Sequence, residues 1–304
     1  MKTAPENESD RERAPEPAPE TELPVNEPTE FLTQEERPRK RRETARRVLW
    51  ALPWIVFAIT IVAVGDALFA FALIGLGVIG LRELFAMGER YRPLPWAAYI
   101  TLGLLLIAAH FGETFQILLA AAAGFPLMFA LALDRDDRSE ITSSMAFTVF
   151  GVAWIGIPLV HAVLLRDLPL HGGALLIDVL VATFAADTAA YGAGRLFGSR
   201  RITPVLSPNK TLEGTIGGFL GGTLGFWFAG LYQDWLPGAD ALLMGAVIAL
   251  LAPVGDLFES MIKRDLDVKD TGRAFGPHGG MLDRLDALFF TVVASYYLAR
   301  AFVY

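Results

Sequence analysis

Cysteine is absent from this chain of 304 residues, and histidine occurs only 4 times. The first absence excludes a disulfide framework and any thiolate metal site, although it identifies no compartment. The scarcity of histidine points the same way. His110, His161 and His171 lie outside the motifs described below, no two histidines sit at ligand spacing, and ordinary polar or interfacial roles are expected for these three. Charge is sparse as well, at 19% of residues against about 25% in an average soluble domain. Hydrophobic residues make up 53% and mean hydropathy is +0.43. This balance excludes collagen-like and disulfide-rich classes, and disorder for most of the chain, and indicates a membrane protein. The chain does not begin with a basic stretch leading at once into an apolar run, so no signal peptide is expected. No basic patch is interleaved with aromatics, and no nucleic-acid partner is expected.

The charge that is present is unevenly spread. The formal net charge is −7, yet residues 1–36 hold 11 acids against Lys2, Arg11 and Arg13, which leaves +1 for the remaining 268 residues. That segment is rich in Glu and Pro and too poor in apolar residues to offset the entropy of ordering, so a disordered acidic arm is expected. It leads into Arg37, Arg39, Lys40, Arg41, Arg42, Arg46 and Arg47, directly before an apolar run. A basic cluster in that position marks the cytoplasmic side of a spanning helix and can contact anionic head groups.

A helix needs about 20 apolar residues to cross the hydrocarbon core. Nine stretches qualify: 48–64, 67–81, 95–110, 114–133, 141–165, 172–190, 213–232, 239–255 and 286–303. With the N-terminus inside, 24 of the 26 basic residues fall in the tail or in inner loops, and only Arg166 and Arg300 fall outside. The expected architecture is therefore an all-α polytopic membrane protein of about nine transmembrane helices with its C-terminus outside. Three regions follow: an arm over 1–47, N-terminal helices over 48–170, and a C-terminal catalytic region over 171–304 with cytoplasmic loops 191–212 and 256–285.

Polar chemistry concentrates in that last region. Asp187 lies in an apolar span, where an ionisable group costs roughly 2.5–3.5 kcal/mol and normally faces a cavity or a partner. Tyr191 and Gly194 follow at i+4 and i+7 on the same face, a candidate cavity wall, whereas Asp178 points about 180° away. The segment Ser207-Pro-Asn-Lys210-Thr211-Leu-Glu213-Gly214 then opens a glycine-rich helix. Hydroxyls, a lysine and free backbone amides at a helix start can grip phosphate. Gly221 and Gly225, four apart, read as a close helix-packing face. At the end of the eighth stretch Asp256, Ser260 and Lys263 share one helix face at i, i+4 and i+7. The charges continue through Arg264, Lys269 and Asp270 to the His278-Gly-Gly turn, and Asp283, Arg284 and Asp286 open the ninth stretch. Oxygen donors without cysteine favour Mg²⁺ over zinc, and basic side chains beside such a metal suit phosphoryl or nucleotidyl transfer. A site at the membrane boundary suits one lipid and one water-soluble substrate.

Residues 260–286, with Ser260-Met-Ile-Lys263-Arg264, Lys269-Asp270-Thr-Gly272 and Phe275-Gly276-Pro277-His278-Gly279-Gly280-Met-Leu-Asp283-Arg284-Leu-Asp286, resemble the signature of the phosphatidate cytidylyltransferase (CDP-diacylglycerol synthase) family. The Asp187 face and the 207–214 segment are also similar to that family, and the likeness covers roughly residues 175–300. One departure is Gly276-Pro277, where the family usually has Pro-Gly. The resemblance implies the reaction of CTP with phosphatidate to give CDP-diacylglycerol and pyrophosphate, in a Mg²⁺-dependent membrane homodimer of the bacterial inner membrane with its site on the cytoplasmic side. It implies Asp256 and Asp283 as metal ligands, with K⁺ as a second cation. Ser207, Lys210 and Thr211 fall on its phosphate-contacting segment, beside Glu213. Lys263, Arg264, Lys269 and Asp270 fall on its catalytic polar centre.

On this reading a phosphate oxygen of phosphatidate, already ionised, attacks the α-phosphorus of CTP, so neutralising two polyanions matters more than general-base catalysis. Lys263 and Arg264 are expected to position the lipid phosphate, and Lys210, Ser207 and Thr211 to hold CTP. Asp187 and Tyr191 line the substrate side, and Ser260, His278, Arg284 and Asp286 support the loop and substrate. Two rivals stay open at this point: a CTP-dependent kinase of a polyprenol or similar lipid alcohol, and an ion-coupled transporter using Asp187, Asp256 and Asp283.

Overall fold

A computed structural model of the chain describes residues 53–136, 139–204, 206–272 and 279–304. The chain divides into two units, Met1–Leu49 and Trp50–Tyr304, and the described residues belong to the second. The expected acidic arm and its basic cluster lie outside the described residues, as does His278.

Each of the nine apolar stretches is helical over all but at most two of its described residues. The helices are α1 (Pro53–Val64), α2 (Asp66–Met87), α3 (Pro95–Phe111), α4 (Thr114–Leu133), α5 (Ile141–Gly151), α6 (Ile157–Arg166), α7 (Gly172–Phe197), α8 (Leu212–Gly230), α9 (Gly238–Asp265) and α10 (Leu282–Phe302). A π-helical turn over Val152–Gly156 joins α5 and α6 into one rod, Ile141–Arg166. Pro158 explains the turn, because its ring displaces the carbonyl four residues back and it has no N–H to donate.

Among the described residues, six helices are long and apolar enough to cross a membrane: α2, α4, the α5–α6 rod, α7, α9 and α10. The expected count of nine is not reached on this criterion, for physical reasons. The described part of α1 and the whole of α3 are short, and α8 is diluted by glycine. Large apolar side chains cover the outside, with Trp96 71%, Phe115 70% and Phe228 70% exposed. A water-soluble monomer seldom shows so continuous an apolar surface. The interior is filled by Leu81, Leu84, Leu102, Leu106, Ile155, Leu165, Leu175, Met244 and Ile248.

The tightest seam joins α7 to α8. A Cβ added at Gly217, Gly221 or Gly225 would stand 2.3, 2.3 or 2.7 Å from the Cβ of Ala193, Ala189 or Ala185 respectively. Glycine every fourth residue on one helix thus meets alanine every fourth residue on the other, and the two backbones approach as small residues permit. This is the packing role expected for Gly221 and Gly225.

The all-helical expectation needs one local correction. Arg201–Thr203 (β1) and Ser207–Thr211 (β2) form an antiparallel pair, with Arg201 opposite Thr211 and Thr203 opposite Ser207. Pro204 and Pro208 bar a helix here. The Glu213 carboxylate closes the turn onto α8 by accepting from Ser199 Oγ at 2.6 Å, Ser199 N at 3.1 Å and Arg200 N at 3.3 Å.

Candidate active site

The hairpin delivers Lys210 to α9. Lys210 Nζ stands 3.0 Å from Asp256 Oδ2 and also donates to the Pro253 carbonyl at 3.3 Å. Both side chains line a cavity of about 450 Å³ between α7, α8 and α9. Asp187, Tyr191 and Gly194 line it from α7, as their shared helix face requires. Asp187 lies close enough to Lys210 and Asp256 to feel both charges. Ala186 and Ala190 of α7, Phe219 of α8 and Ala249 of α9 add apolar lining. Thr211 lines the cavity and caps α8, its Oγ1 accepting from Gly214 N at 3.1 Å. A hydroxyl used as an acceptor keeps its own proton to donate. Arg195 joins the wall and donates to Tyr191 Oη at 3.2 Å.

A second cluster forms where α9 crosses α10. Lys263 Nζ donates to Asp283 Oδ1 at 2.8 Å and lies 3.4 Å from Glu259 Oε1. Asp283 Oδ2 accepts from Gly280 N at 2.7 Å, Thr271 Oγ1 at 2.9 Å and Thr271 N at 3.3 Å. Asp283 is therefore the hub that ties the loop after α9 to the start of α10. Asp286 links the two clusters, within hydrogen-bonding reach of Glu259 and within electrostatic range of Asp256. The polar row thus runs from Asp187 through Asp256, Asp286 and Glu259 to Lys263 and Asp283.

The remaining sequence candidates divide clearly. Arg264, Lys269, Asp270 and Arg284 are exposed at the loop and helix ends. Ser260 is half-buried and makes no side-chain hydrogen bond among the described residues, and Glu259, one position earlier, stands beside Lys263. Ser207 and Glu213 hold the hairpin and do not line the cavity. Asp178 faces away from the site, as its spacing from Asp187 requires, and accepts from Gln233 Nε2 at 2.6 Å.

Two buried acids were not among the sequence candidates. Glu259 is 1% exposed, and its i+4 spacing to Lys263 is a signal that periodicity could have used. Glu83, in α2, is 9% exposed and accepts from Leu282 N at 3.0 Å. Its position beside Arg82 at the end of an apolar stretch makes it look like a loop charge.

Residues 45–302 match the profile described as the cytidylyltransferase family. YnbB of Escherichia coli, an uncharacterized protein, is 35% identical over 236 residues, covering 76% of this chain and 78% of its own length. The phosphatidate cytidylyltransferase of Staphylococcus saprophyticus is 30% identical over 249 residues, covering 78% of this chain and 92% of its own. That of Bacillus subtilis is 28% identical over 263 residues, covering 84% and 98%.

Proposed function

The chain belongs to the cytidylyltransferase family, and from that membership we infer that it is a membrane nucleotidyltransferase that transfers the cytidylyl group of CTP to phosphatidate, giving CDP-diacylglycerol and pyrophosphate. The observation that carries this reading is the Lys210–Asp256 pair in the wall of a cavity whose lining also includes Ala186, Ala190, Phe219 and Ala249. A cation beside a carboxylate serves a nucleotide phosphate, and the apolar lining serves a lipid.

The donors here are carboxylate and hydroxyl oxygens, and no three acids are gathered into one cage among the described residues. That donor set fits Mg²⁺, which takes one or two carboxylates and leaves its other positions to water and substrate phosphates. Asp256 and Asp283 are its proposed protein ligands, with K⁺ as a proposed second cation. When bound, Mg²⁺ supplies charge neutralisation for the in-line displacement.

The chain's own residues do the rest. Lys210, once drawn from Asp256, and the Thr211 proton bind CTP phosphate oxygens, with Ser207 supporting the strand that carries them. Lys263 and Arg264 hold the lipid phosphate against the α-phosphorus. Asp187 orients Lys210, and Tyr191 bounds the cavity. Lys269, Asp270, Arg284 and Asp286 complete the charged rim. The phosphatidate oxygen is already ionised, so no side chain needs to remove a proton from it.

The setting that supports this chemistry is a multi-pass protein of nine spans in the bacterial inner membrane, with the polar row on the cytoplasmic side and two copies forming a homodimer. The segregation of basic residues supports that orientation. The test uses purified protein in nanodiscs with labelled CTP, phosphatidate and Mg²⁺. Label should enter lipid while pyrophosphate is released in equal amount. A lipid-alcohol kinase would release CDP, and a transporter would consume no CTP. Family membership favours neither.

A further inference from the structure

Glu83 sits in α2 between the fully buried Leu81 and Leu84, far in sequence from every motif described above. A carboxylate placed in a span is costly and is expected to serve a partner. Its Oε2 accepts the Leu282 amide at 3.0 Å, satisfying one of the four donors that the start of α10 leaves open. The same oxygen lies 3.4 Å from Thr271 Oγ1. Its other oxygen, Oε1, is buried and accepts no hydrogen bond among the described residues.

Gly272 and Gly280 pack directly against this carboxylate. A Cβ at Gly272 would stand 2.6 Å from Glu83 Oε1, and one at Gly280 would stand 2.5 Å from Oε2. Only residues without a side chain let both ends of the 271–282 segment close on Glu83. The groups it holds are those that define Asp283. Thr271 donates to Asp283 from both its amide and its hydroxyl, Gly280 donates its amide, and Leu282 is the adjacent residue. Because a hydroxyl has a single proton and Asp283 is the nearer acceptor, Thr271 serves Asp283 while resting against Glu83.

We propose that Glu83 is a positioning residue for nucleotidyl transfer: it anchors both ends of the 271–282 segment and so sets where Asp283 and its partner Lys263 stand. The proposal rests on the functional reading above. It assigns to α2, which lies outside the sequence motifs described above, a direct part in building the site.

The test compares Glu83→Ala with Glu83→Gln in the full-length protein, using amide hydrogen exchange without substrate or metal, followed by turnover. In Glu83→Ala the amides of Thr271 and Gly280, which bond Asp283 and not Glu83, should lose protection together with Leu282. Turnover should fall about tenfold or more, and the Mg²⁺ concentration giving half-maximal rate should rise about fivefold, a shift that a simple loss of folded enzyme does not produce. Glu83→Gln keeps an acceptor oxygen and should restore both protection and turnover to within about threefold of wild type. The proposal is overturned if Glu83→Ala frees only the Leu282 amide and keeps turnover within about twofold. If Glu83→Ala does not fold, Glu83→Asp draws the carboxylate back from the Leu282 amide by one methylene and leaves every partner of Asp283 in place. Exposure of the Gly280 amide with a tenfold fall supports the proposal, whereas wild-type exchange and turnover overturn it, tenfold being about the effect of losing one supporting contact. A wild-type enzyme that makes no CDP-diacylglycerol would sink the functional reading, while the exchange experiment, which needs no substrate, would still judge Glu83.

Discussion

Gly255 of α9 lies against the Asp286 carbonyl of α10 with no space for a side chain: a Cβ there would stand 2.3 Å from that oxygen and 2.8 Å from the Ala287 Cα. This backbone contact brings the helix turn carrying Asp256 onto the turn carrying Asp286. Gly255→Ala should force the helices apart, cost about 1–3 kcal/mol and lower turnover about tenfold or more. Thermal unfolding in detergent and the CDP-diacylglycerol assay would check it. A fully active, equally stable variant would show that the crossing is not required.

Lys263 and Asp283 are 16% and 14% exposed and bonded at 2.8 Å, so losing either removes the other's nearest charged partner. Asp283→Asn and Lys263→Ala should each reduce turnover about 100-fold or more, with the protein still inserted and monodisperse. Size-exclusion chromatography with the labelled-CTP assay reads both quantities. Near-wild-type conversion by either variant would remove the pair from the site.

Lys210 should act on the nucleotide more than on the lipid. Lys210→Ala is expected to raise the KM for CTP about tenfold and to leave the KM for phosphatidate within about twofold. An equal rise for both substrates would place Lys210 between them and not at the CTP end.

The α7–α8 seam should tolerate no bulk. Gly221→Leu drives a side chain into Ala189, whose Cβ lies only 2.3 Å from where a Cβ at residue 221 would stand, so folded protein should fall sharply. Gly103, in α3, has nothing within 4 Å of an added Cβ, and Gly103→Ala should be neutral or gain about 0.5–1 kcal/mol. Melting temperatures of the two variants make the comparison.

Much of this site could be read from spacing. Helical periodicity put Asp187, Tyr191 and Gly194 on one face, and they line the cavity. It put Gly221 and Gly225 at a helix contact, and they meet α7. Composition and hydropathy located every helix but could not rank them by length, because α3 and α8 join a polytopic bundle without being long or apolar enough on their own. The short hairpin escaped because strands of three and five residues carry no usable period. Glu259 was missed beside Ser260, since i, i+4 and i, i+3 fall on nearly the same face and only packing shows that the acid is buried against Lys263. Glu83 was illegible for a different reason. Its role exists only through a partner 199 residues away, and no local pattern encodes that separation.

That separation also governs when the site can exist during synthesis. The Leu282 amide that Glu83 binds belongs to the last helix, so α2 enters the membrane with an acid whose partner has not been made. Between those events the nascent chain carries an uncompensated carboxylate among apolar neighbours. Asp283, Lys263 and the loop between them acquire their arrangement only when the C-terminal helix docks. A chain halted before α10 would hold the residues of the cavity wall but lack Asp283, and with it the hub.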